Sequence, residues 1–327
     1  MAFVHLHNHT EYSLLDGHTH IYDMVKRAAE LDMPAVAISD HGVMSGVPQL
    51  CEMCDKVEAE TGKHVKPIYG CEVYFTTDEE LRKDTKPKLF HLLLLAKTNE
   101  GYHNLVKLVS ESHVDNFYYK PRTTFSMLQK YGRGIIGSSA CIAGIIPKLL
   151  DNGQFDDAVE WAKKFAGCFE PGDFYIELQN QGIRTDAGFT QTELTDVAKA
   201  AGLKTIATND FHYLTREDAK AQDYLLCIST GAAVNDANRM RFENDQFYMK
   251  SEEEMREALK DFPEACDTTV EVAEKCDVVL ERDSILPRFP LPEGETEESY
   301  FRRRVQEGLV KHYGDPVPPE AQERADY

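Results

Sequence analysis

The sequence alternates between short apolar runs rich in β-branched residues and longer stretches with helical spacing. The strand-like runs are residues 3–9 (FVHLHNH), 34–42 (PAVAISDHG), 65–75 (VKPIYGCEVYF), 132–141 (GRGIIGSSAC), 173–182 (DFYIELQNQG) and 203–212 (LKTIATNDFH). Most of them are followed by a helical stretch, as residues 21–32 (IYDMVKRAAELD) follow the first. Repeated β-then-α units form a largely parallel sheet, and this number of units predicts an α/β fold with a closed or nearly closed barrel.

Three histidines stand at alternate positions of the first strand-like run. His5, His7 and His9 would share one face of an extended strand, and Asp16 follows seven residues after the last of them. Three imidazoles on one face are poor core material, whereas imidazole is a common metal ligand. The pattern therefore indicates a metal site, provided that the rest of the chain supplies further ligands.

Other strand ends carry the same kinds of side chain. In β/α barrels the functional groups cluster at the carboxyl ends of the strands, and most candidates here follow that rule. His91 fits less well because it precedes the apolar run LLLLA, so its strand either begins earlier or runs against the others. The candidate metal ligands are His7, His9, Asp16, His41, Glu72, His91, Cys141, Asp210 and His212.

Each of these motifs alone has a simpler interpretation. The aspartate in SDHG or NDFH is typical of a turn, and a cysteine after a strand is typical of a small buried apolar residue. Together, however, they would crowd unpaired charges at neighbouring strand ends, and bound cations would compensate those charges. Mixed nitrogen, oxygen and sulfur donors suit Zn²⁺, with Mn²⁺ or Fe²⁺ also suitable, and so many side chains indicate two or three ions. Such a site favours phosphoester hydrolysis.

The overall charge opposes a simple nucleic-acid-binding function. The chain has 36 basic and 56 acidic residues, which gives a net charge of −20. Nonspecific binding of phosphate backbones normally needs an excess of basic residues. Bound divalent cations, or basic regions in another domain or subunit, would reduce this conflict.

Composition also bears on the compartment. The longest apolar run, LFHLLLLA at residues 89–96, has the length of a strand and not of a transmembrane helix. The chain does not open on a basic segment followed by an apolar stretch, and its eight cysteines are scattered. We therefore expect reduced thiols, a cytoplasmic location and no membrane partner.

Six motifs occur in order at residues 5–17 (HLHNHTEYSLLDG), 38–42 (ISDHG), 69–74 (YGCEVY), 90–96 (FHLLLLA), 137–144 (GSSACIAG) and 208–213 (TNDFHY). This ordered set resembles the PHP (polymerase and histidinol phosphatase) family. Further segments resemble the continuation toward the polymerase core in the branch of that family found at the N-terminus of bacterial replicative DNA polymerases. These segments are residues 225–231 (LLCISTG), 238–255 (NRMRFENDQFYMKSEEEM) and 286–296 (LPRFPLPEGET).

The resemblance implies a particular domain organisation. Residues 1–283 would form a distorted (β/α)7 barrel of the PHP type, a metal-dependent phosphoesterase. Residues 284–327 would form a linker and the truncated start of a polymerase core, since residues 284–299 are rich in proline and acid. Helical spacing predicts a helix over residues 297–314, and we expect the tail at 315–327 to lack a closing element.

The resemblance also implies a trinuclear centre formed by the nine candidate ligands, with Asp16, Asp210 and His212 in catalytic roles. Two further residues are candidate substrate contacts: Tyr12 lies between His9 and Asp16, and Arg184 follows a strand end. Three others have supporting roles, with His5 expected in the core or behind the ligands, and Glu177 and Asn180 orienting ligands. His18 and His20 are expected in solvent or at a helix start.

Members of the family with a complete ligand set act as metal-dependent 3′–5′ exonucleases. The resemblance therefore implies phosphodiester hydrolysis at DNA 3′ ends, a proofreading step in a DNA replication enzyme whose polymerase site lies outside this chain. The implied partners are single-stranded or frayed DNA, the remaining polymerase domains, and replisome subunits such as a proofreading subunit or a sliding clamp. Two alternatives stay open: a metal-binding scaffold that docks a separate proofreading subunit, and a small-molecule phosphomonoesterase of the histidinol phosphatase type.

Overall fold

The apolar runs of the sequence form an eight-stranded sheet. The computed structural model describes residues 2–81, 88–183, 189–281 and 286–327. The strands are β1 Ala35–Ile38, β2 Lys66–Phe75, β3 Phe90–Ala96, β4 Phe117–Tyr118, β5 Lys120–Thr123, β6 Ile135–Ser138, β7 Phe174–Leu178 and β8 Lys204–Ala207. They lie in the order β4-β5-β2-β3-β6-β7-β8, and β1 pairs with β2.

Helices follow most of the strands, as the alternating pattern predicts. They are α1 Ile21–Glu30, α2 Val47–Thr61, α3 Asp78–Leu81, α4 Asn99–Val114, α5 Phe125–Tyr131, α6 Ile145–Asp151, α7 Phe155–Ala166, α8 Gln191–Ala201, α9 Ala219–Thr230, α10 Glu252–Ala258, α11 Pro263–Lys275, α12 Glu297–Tyr313 and α13 Pro319–Asp326. A 3-10 turn at Arg216–Asp218 precedes α9. Among the described residues, no helix has both the length and the apolar character needed to cross a bilayer.

The N-terminal segment closes the sheet into a barrel. Ala37 of β1 donates its backbone N–H to the His5 carbonyl at 3.0 Å, and Ser39 donates to the Asn8 carbonyl at 3.2 Å. On its other side, His9 donates its N–H to the carbonyl of Phe211, just beyond β8, at 2.9 Å. The segment thus joins β1 to β8, and with β2, β3, β6 and β7 it completes a distorted (β/α)7 barrel. The predicted fold class is confirmed.

One strand runs against the rest of the barrel. β3 pairs antiparallel with both β2 and β6, whereas β1/β2, β6/β7 and β7/β8 are parallel. The first residues of β3 therefore lie at the end of the barrel where the parallel strands finish. His91 is directly opposite Tyr74, near the end of β2. Of the two explanations for the position of His91, the correct one is therefore that its strand runs against the others.

Alternate strand residues face the barrel interior and the helices. A small buried cluster takes side chains from the N-terminal segment and all six strands of the ring, including Leu6, Ile68 and Ile206. A larger cluster joins the opposite strand faces to the helices. Because Glu72 has the same alternation as Ile68, it lies on the interior face at the end of β2. Cys71 belongs to the outer cluster, as its adjacency to Glu72 predicts.

A close backbone approach ties α4 to the strand layer. An added Cβ at Gly101, in the first turn of α4, would lie 1.6 Å from the carbonyl oxygen of Gly134. We expect Gly101→Ala to lower the free energy of unfolding by about 3 kcal/mol, because one of the two backbones must move. Urea denaturation measures the change. In Gly167→Ala the nearest atom would be 3.4 Å away, so this matched variant should unfold at nearly the same urea concentration.

The chain divides into two compact units, Met1–Leu280 and Glu281–Tyr327. In the second unit the predicted helix is present as α12, and residues 286–296 form neither helix nor strand. The expectation for the tail was wrong, because α13 forms there. Pro319 begins that helix, Glu320 lies in its first turn and Arg324 in its last, a charge order that favours the helix dipole. The identity of this unit as the start of a polymerase core stays a prediction.

Candidate metal centre

Glu72 is the centre of a buried cluster of imidazoles. Its Oε1 lies 3.1 Å from His7 Nε2 and 2.9 Å from His91 Nδ1. Its Oε2 lies 2.7 Å from His41 Nδ1 and 3.6 Å from His9 Nε2. Four imidazoles from three parts of the chain thus converge on one carboxylate that is 1% exposed. Both of its oxygens are directed into the cluster, where each is available to a cation.

A second carboxylate enters from the segment after β8. Asp210 Oδ1 lies 3.0 Å from His9 Nε2 and 3.4 Å from His7 Nε2. The backbone of Asp210 has φ 48°, in the left-handed region, which non-glycine residues adopt uncommonly and often at functional sites. This turn places Asp210 and His212 at the same end of the barrel.

The remaining candidates complete the cluster on two sides. Asp16 Oδ2 lies 2.9 Å from His41 Nε2 and 3.6 Å from His212 Nε2. Cys141 Sγ lies 3.6 Å from His91 Nδ1 and 3.8 Å from Glu72 Oε1. All nine side chains predicted as ligands therefore lie in one cluster at one end of the barrel.

The donor atoms of this cluster fit divalent cations. Among the described residues, five buried polar atoms in it lie close to one another but form no well-aligned hydrogen bond: His7 Nε2, His9 Nε2, His41 Nδ1, Glu72 Oε2 and Asp210 Oδ1. Burying polar atoms without such bonds is costly, and a cation between them would satisfy them. Three overlapping groups each have donor atoms within 4.8 Å of one another: His9–His41–His212, His7–His9–Glu72 and His41–Glu72–His91. These groups are the places in the cluster where the donor atoms fit a cation.

Hydrogen bonds behind the cluster set the histidine tautomers. His7 Nδ1 donates to Glu177 Oε2 at 2.9 Å. His9 Nδ1 donates to Ser13 Oγ at 3.0 Å, since that hydroxyl donates its own proton to Asp40 Oδ1 at 2.6 Å. In both histidines Nε2 is therefore the nitrogen available to a metal.

His212 is held in the same way, because its Nδ1 donates to the backbone carbonyl of Asp210 at 2.8 Å. Glu177 is fixed in turn by Thr208 Oγ1 at 2.6 Å and by Ser138 Oγ. These supports come from the ends of β6, β7 and β8, so the barrel itself orients the rings of the candidate ligands.

Burial and charge act in opposite directions on the pKa values of the cluster. Burial lowers the pKa of His41, but Asp16 and Glu72 outweigh it and raise that pKa to about 10. Burial, together with His41 and His212, lowers the pKa of His9 to about 3. Burial raises the pKa of Glu72, but His91 and His7 outweigh it and hold the pKa well below its usual range. Without a metal, protons on the imidazoles balance the carboxylates, so metal binding should release protons.

Glu177→Gln tests the support behind His7. The amide can present its NH₂ to His7 Nδ1, and Gln lacks the negative charge that favours the Nδ1–H tautomer. We expect metal affinity to fall by about 10- to 100-fold, the usual effect of losing an outer partner of a ligand. Titration with Zn²⁺ against a competing chelator measures this change. Unchanged affinity would show that the Glu177 carboxylate does not orient His7 for metal binding.

Several other predicted residues have different positions from the ligands. His5 does not share the face of His7, because the chain bends at residue 7. Its ring contacts Phe3 and Phe211 at centroid distances of 5.0 and 5.1 Å, and its Nε2 bonds the Lys250 carbonyl at 2.8 Å. The shared-face prediction was wrong for His5, while its expected place in the core matches the structure.

His20 is the N-cap residue of α1 and is exposed, as expected of a helix-start residue, whereas His18 is half-buried. Asn180 does not orient a ligand, since its side chain donates to the Ala258 carbonyl at 2.6 Å. Tyr12 lines the open side of the cluster, and its hydroxyl donates to Gln49 Oε1 at 2.8 Å. Arg184 lies outside the described residues.

Sequence reasoning missed the two residues behind His9. Ser13 lies between His9 and Asp16 in the first motif, and Asp40 directly precedes His41 in the second. Asp40 also accepts from the Thr10 backbone N–H at 2.7 Å and from its hydroxyl at 2.8 Å. The available signal was that each lies within a ligand motif, but only the fold brings Ser13 and Asp40 together.

The site and the barrel define a class of protein. Residues 5–181 match the PHP domain family, and the chain belongs to this family. It is 41% identical over 320 residues to a Borreliella burgdorferi protein named DNA polymerase III subunit alpha, which covers 95% of this chain and 27% of that protein. It is 36% identical over 332 residues to the Treponema pallidum protein of the same name, which covers 100% of this chain and 28% of that protein. The chain thus spans roughly a quarter of the length of these relatives.

A solved structure from Bifidobacterium adolescentis is provisionally described as a metal-dependent phosphoesterase. The match covers 79% of this chain and 96% of that one, with 14% sequence identity and a TM-score of 0.39. So remote a likeness adds nothing to the family assignment, which rests on the sequence motifs and on the relatives.

Proposed function

We propose that this chain hydrolyses phosphodiester bonds at DNA 3′ ends, as the proofreading 3′–5′ exonuclease domain of a DNA replication enzyme. The observation that carries the proposal is the cluster of nine donors around Glu72. Its members His7, His9, Asp16, His41, Glu72, His91, Cys141, Asp210 and His212 would hold two or three ions of Zn²⁺, Mn²⁺ or Fe²⁺. Bound ions of this kind polarise a phosphate, activate water and stabilise a leaving oxygen.

Part of the cluster borders an open cleft. Asp16, His41 and His91 line an open cleft of about 500 Å³, within the roughly 300–1,000 Å³ usual for ligand sites. The remaining ligands are buried behind them, with His7 and His9 fully buried. A phosphate would therefore approach along Asp16, His41 and His91.

Side chains of this protein can accept and supply the protons that the reaction transfers. Water adds to the terminal phosphorus, the bond from phosphorus to the 3′ oxygen breaks, and a nucleoside 5′-monophosphate leaves. The new 3′ hydroxyl needs one proton and the attacking water loses one. Buried His212 and half-buried Asp16 lie 3.6 Å apart beside the cleft, and this pair is suited to exchange these protons. Asp210 holds the His212 ring by its carbonyl and faces His9 by its carboxylate.

DNA is preferred over a small phosphomonoester for two reasons. The relatives named DNA polymerase III subunit alpha align with nearly the whole chain, beyond the residues that match the PHP family. The cleft is also open and is bordered by aromatic residues, including Phe117 and Tyr119. The proposed partners are DNA ends, the remaining polymerase domains and replisome subunits such as a proofreading subunit or a sliding clamp.

Nucleotide release from a 3′-labelled, mismatched primer tests the proposal, with Mn²⁺ or Zn²⁺ supplied. The intact chain should release the labelled nucleotide, and Asp210→Asn should not, because it removes a carboxylate that faces two ligand imidazoles. Asp196→Asn is the control, since Asp196 is exposed on α8. If the intact chain retains its metals and releases no nucleotide, the scaffold alternative is favoured. If it hydrolyses p-nitrophenyl phosphate but no DNA, the phosphomonoesterase alternative is favoured.

A further inference from the structure

The cleft over the cluster has one wall formed by a hairpin that the proposed chemistry does not use. β4 and β5 are antiparallel and are joined at Tyr119, with Tyr118 opposite Lys120. Phe117, Tyr119 and Lys120 all line the cleft that Asp16, His41 and His91 also line. These side chains belong to no part of the ligand cluster or of its supports.

Tyr119 has a backbone conformation that its side chain does not favour. Its φ is 60°, in the left-handed region, where a bulky side chain is a genuine outlier and glycine is at ease. The ring is nevertheless 75% exposed, and its ring contact among the described residues is an edge-to-face one with Tyr118 at 4.7 Å. The turn conformation does not favour an aromatic residue at this position, and the exposed ring does not pack in the core. Strained residues of this kind cluster at functional sites.

Other aromatic rings line the same cleft as Tyr119 and the candidate ligands. Phe117 is 55% exposed and lies parallel to the ring of His113 at 6.2 Å. Deeper in the cleft, Tyr74 lies parallel to the ring of the candidate ligand His41 at 6.1 Å. Exposed aromatic rings that lead to a phosphate site are the usual means of holding the bases of a single strand.

A positive charge lies between the exposed rings and the ligands. Lys120 Nζ lies 3.2 Å from the Tyr74 hydroxyl and 4.9 Å from the centre of the Tyr74 ring. Of the described residues that line the cleft, Lys120 is the one with a permanent positive charge. The other hairpin residues that line the cleft, Phe117, Tyr119 and Pro121, are uncharged, so in a chain of net charge −20 Lys120 is well placed to attract one phosphate.

We propose that the β4–β5 hairpin binds the end of a single DNA strand, with Tyr119 stacked on a base and Lys120 paired with the backbone phosphate beside it. The inference rests on the proposed function, because it names how the same site would hold its substrate. It assigns a base-binding role to Tyr119 that is independent of sequence, since every base has a face on which an aromatic ring can stack. In this arrangement the terminal phosphodiester of the DNA strand reaches Asp16 and His41.

Binding rather than hydrolysis tests this inference. The probe is fluorescein-labelled octathymidylate whose 3′-terminal linkages are phosphorothioates that resist hydrolysis, with Mn²⁺ present and binding followed by fluorescence anisotropy. Tyr119→Gly should weaken binding by about 5- to 100-fold, the usual range for loss of one base–aromatic stack. It should not lower the melting temperature, because glycine adopts φ 60° without strain. Weaker binding thus cannot be attributed to misfolding.

Two comparisons identify the contacts. On the same probe with its three 3′-terminal nucleotides abasic, Tyr119→Gly and the intact chain should bind equally, because there is no base to stack. Lys120→Met should weaken binding and reduce the slope of log affinity against log salt by about 0.7, whereas Tyr119→Gly should leave the slope unchanged. Asp32→Gly is the matched control, since Asp32 also has a left-handed backbone, with φ 55°, but does not line the cleft.

Three results would overturn the inference: no binding of octathymidylate by the intact chain, equal binding by Tyr119→Gly, or an equal loss on the abasic probe. The proposed hydrolysis could survive any of them, because it is measured separately as nucleotide release. Conversely, tight binding that depends on Tyr119 would stand even if no nucleotide were released.

Discussion

Glu72→Gln is expected to reduce nucleotide release from a mismatched primer by at least about 10³-fold, which is about 4 kcal/mol of transition-state stabilisation. The substitution keeps the size of the side chain and removes the charge that four imidazoles face. An amide is a poor bridge between cations, so both the number of bound ions and their positions should change. Metal content by elemental analysis and release of labelled nucleotide by gel assay measure the two effects.

The control for this prediction is Glu160→Gln, because Glu160 is exposed on α7 and pairs with Lys164. It should retain full activity and metal content. Circular dichroism of Glu72→Gln would show whether the barrel is intact. A variant that kept its fold and released nucleotide at the normal rate would contradict the central place of Glu72 in the reaction.

Removing metal is expected to lower the melting temperature by about 10 °C. At free metal a thousandfold above Kd, binding to the native state contributes about 4 kcal/mol, and a domain of this size changes by roughly 2–4 °C per kcal/mol. The physical reason is that Glu72, Asp210 and three imidazoles have buried atoms without well-aligned hydrogen bonds, which a cation satisfies. Differential scanning fluorimetry with EDTA, and then with Zn²⁺ or Mn²⁺ restored, measures the shift.

The Asp210→Asn variant distinguishes metal binding at the cluster from metal binding elsewhere on this acidic chain. On metal addition its melting temperature should rise by less than half as much as that of the intact chain. The melting temperature of Asp196→Asn should rise by the full amount. Equal melting temperatures with and without metal in the intact chain would mean that cations do not stabilise this cluster.

Much of the candidate site could be predicted from the sequence because its residues follow local rules. Side chains after strands of a β/α barrel meet at one end, so His41, Glu72, Cys141 and Asp210 were expected together from their positions alone. The same reasoning gave all nine candidates, and the resemblance to the PHP motifs then assigned that set to a trinuclear centre. The structure brings these side chains into one cluster, and their role as metal ligands remains the proposal to be tested.

Other features could not be predicted because they depend on distant parts of the chain. The bend at residue 7, which turns His5 into the core beside Phe211, arises from contacts more than two hundred residues away in sequence. The pairing of Ser13 with Asp40 behind His9 requires the first and second motifs to be adjacent. The left-handed backbone of Tyr119 has no signal in a hairpin that contains no glycine.

The sequence by itself determined the order of strands and helices, the barrel class and the identity of the nine clustered donors, because apolar periodicity and motif spacing act over a few residues. The tertiary structure alone decided the direction of β3, the closure of the barrel by residues 3–9 and the hydrogen bonds that orient each imidazole. Strand direction depends on which backbone groups pair, and residues far apart in the chain supply those partners. Local sequence patterns thus determine which side chains lie near the site, and hydrogen bonds between distant residues determine their positions.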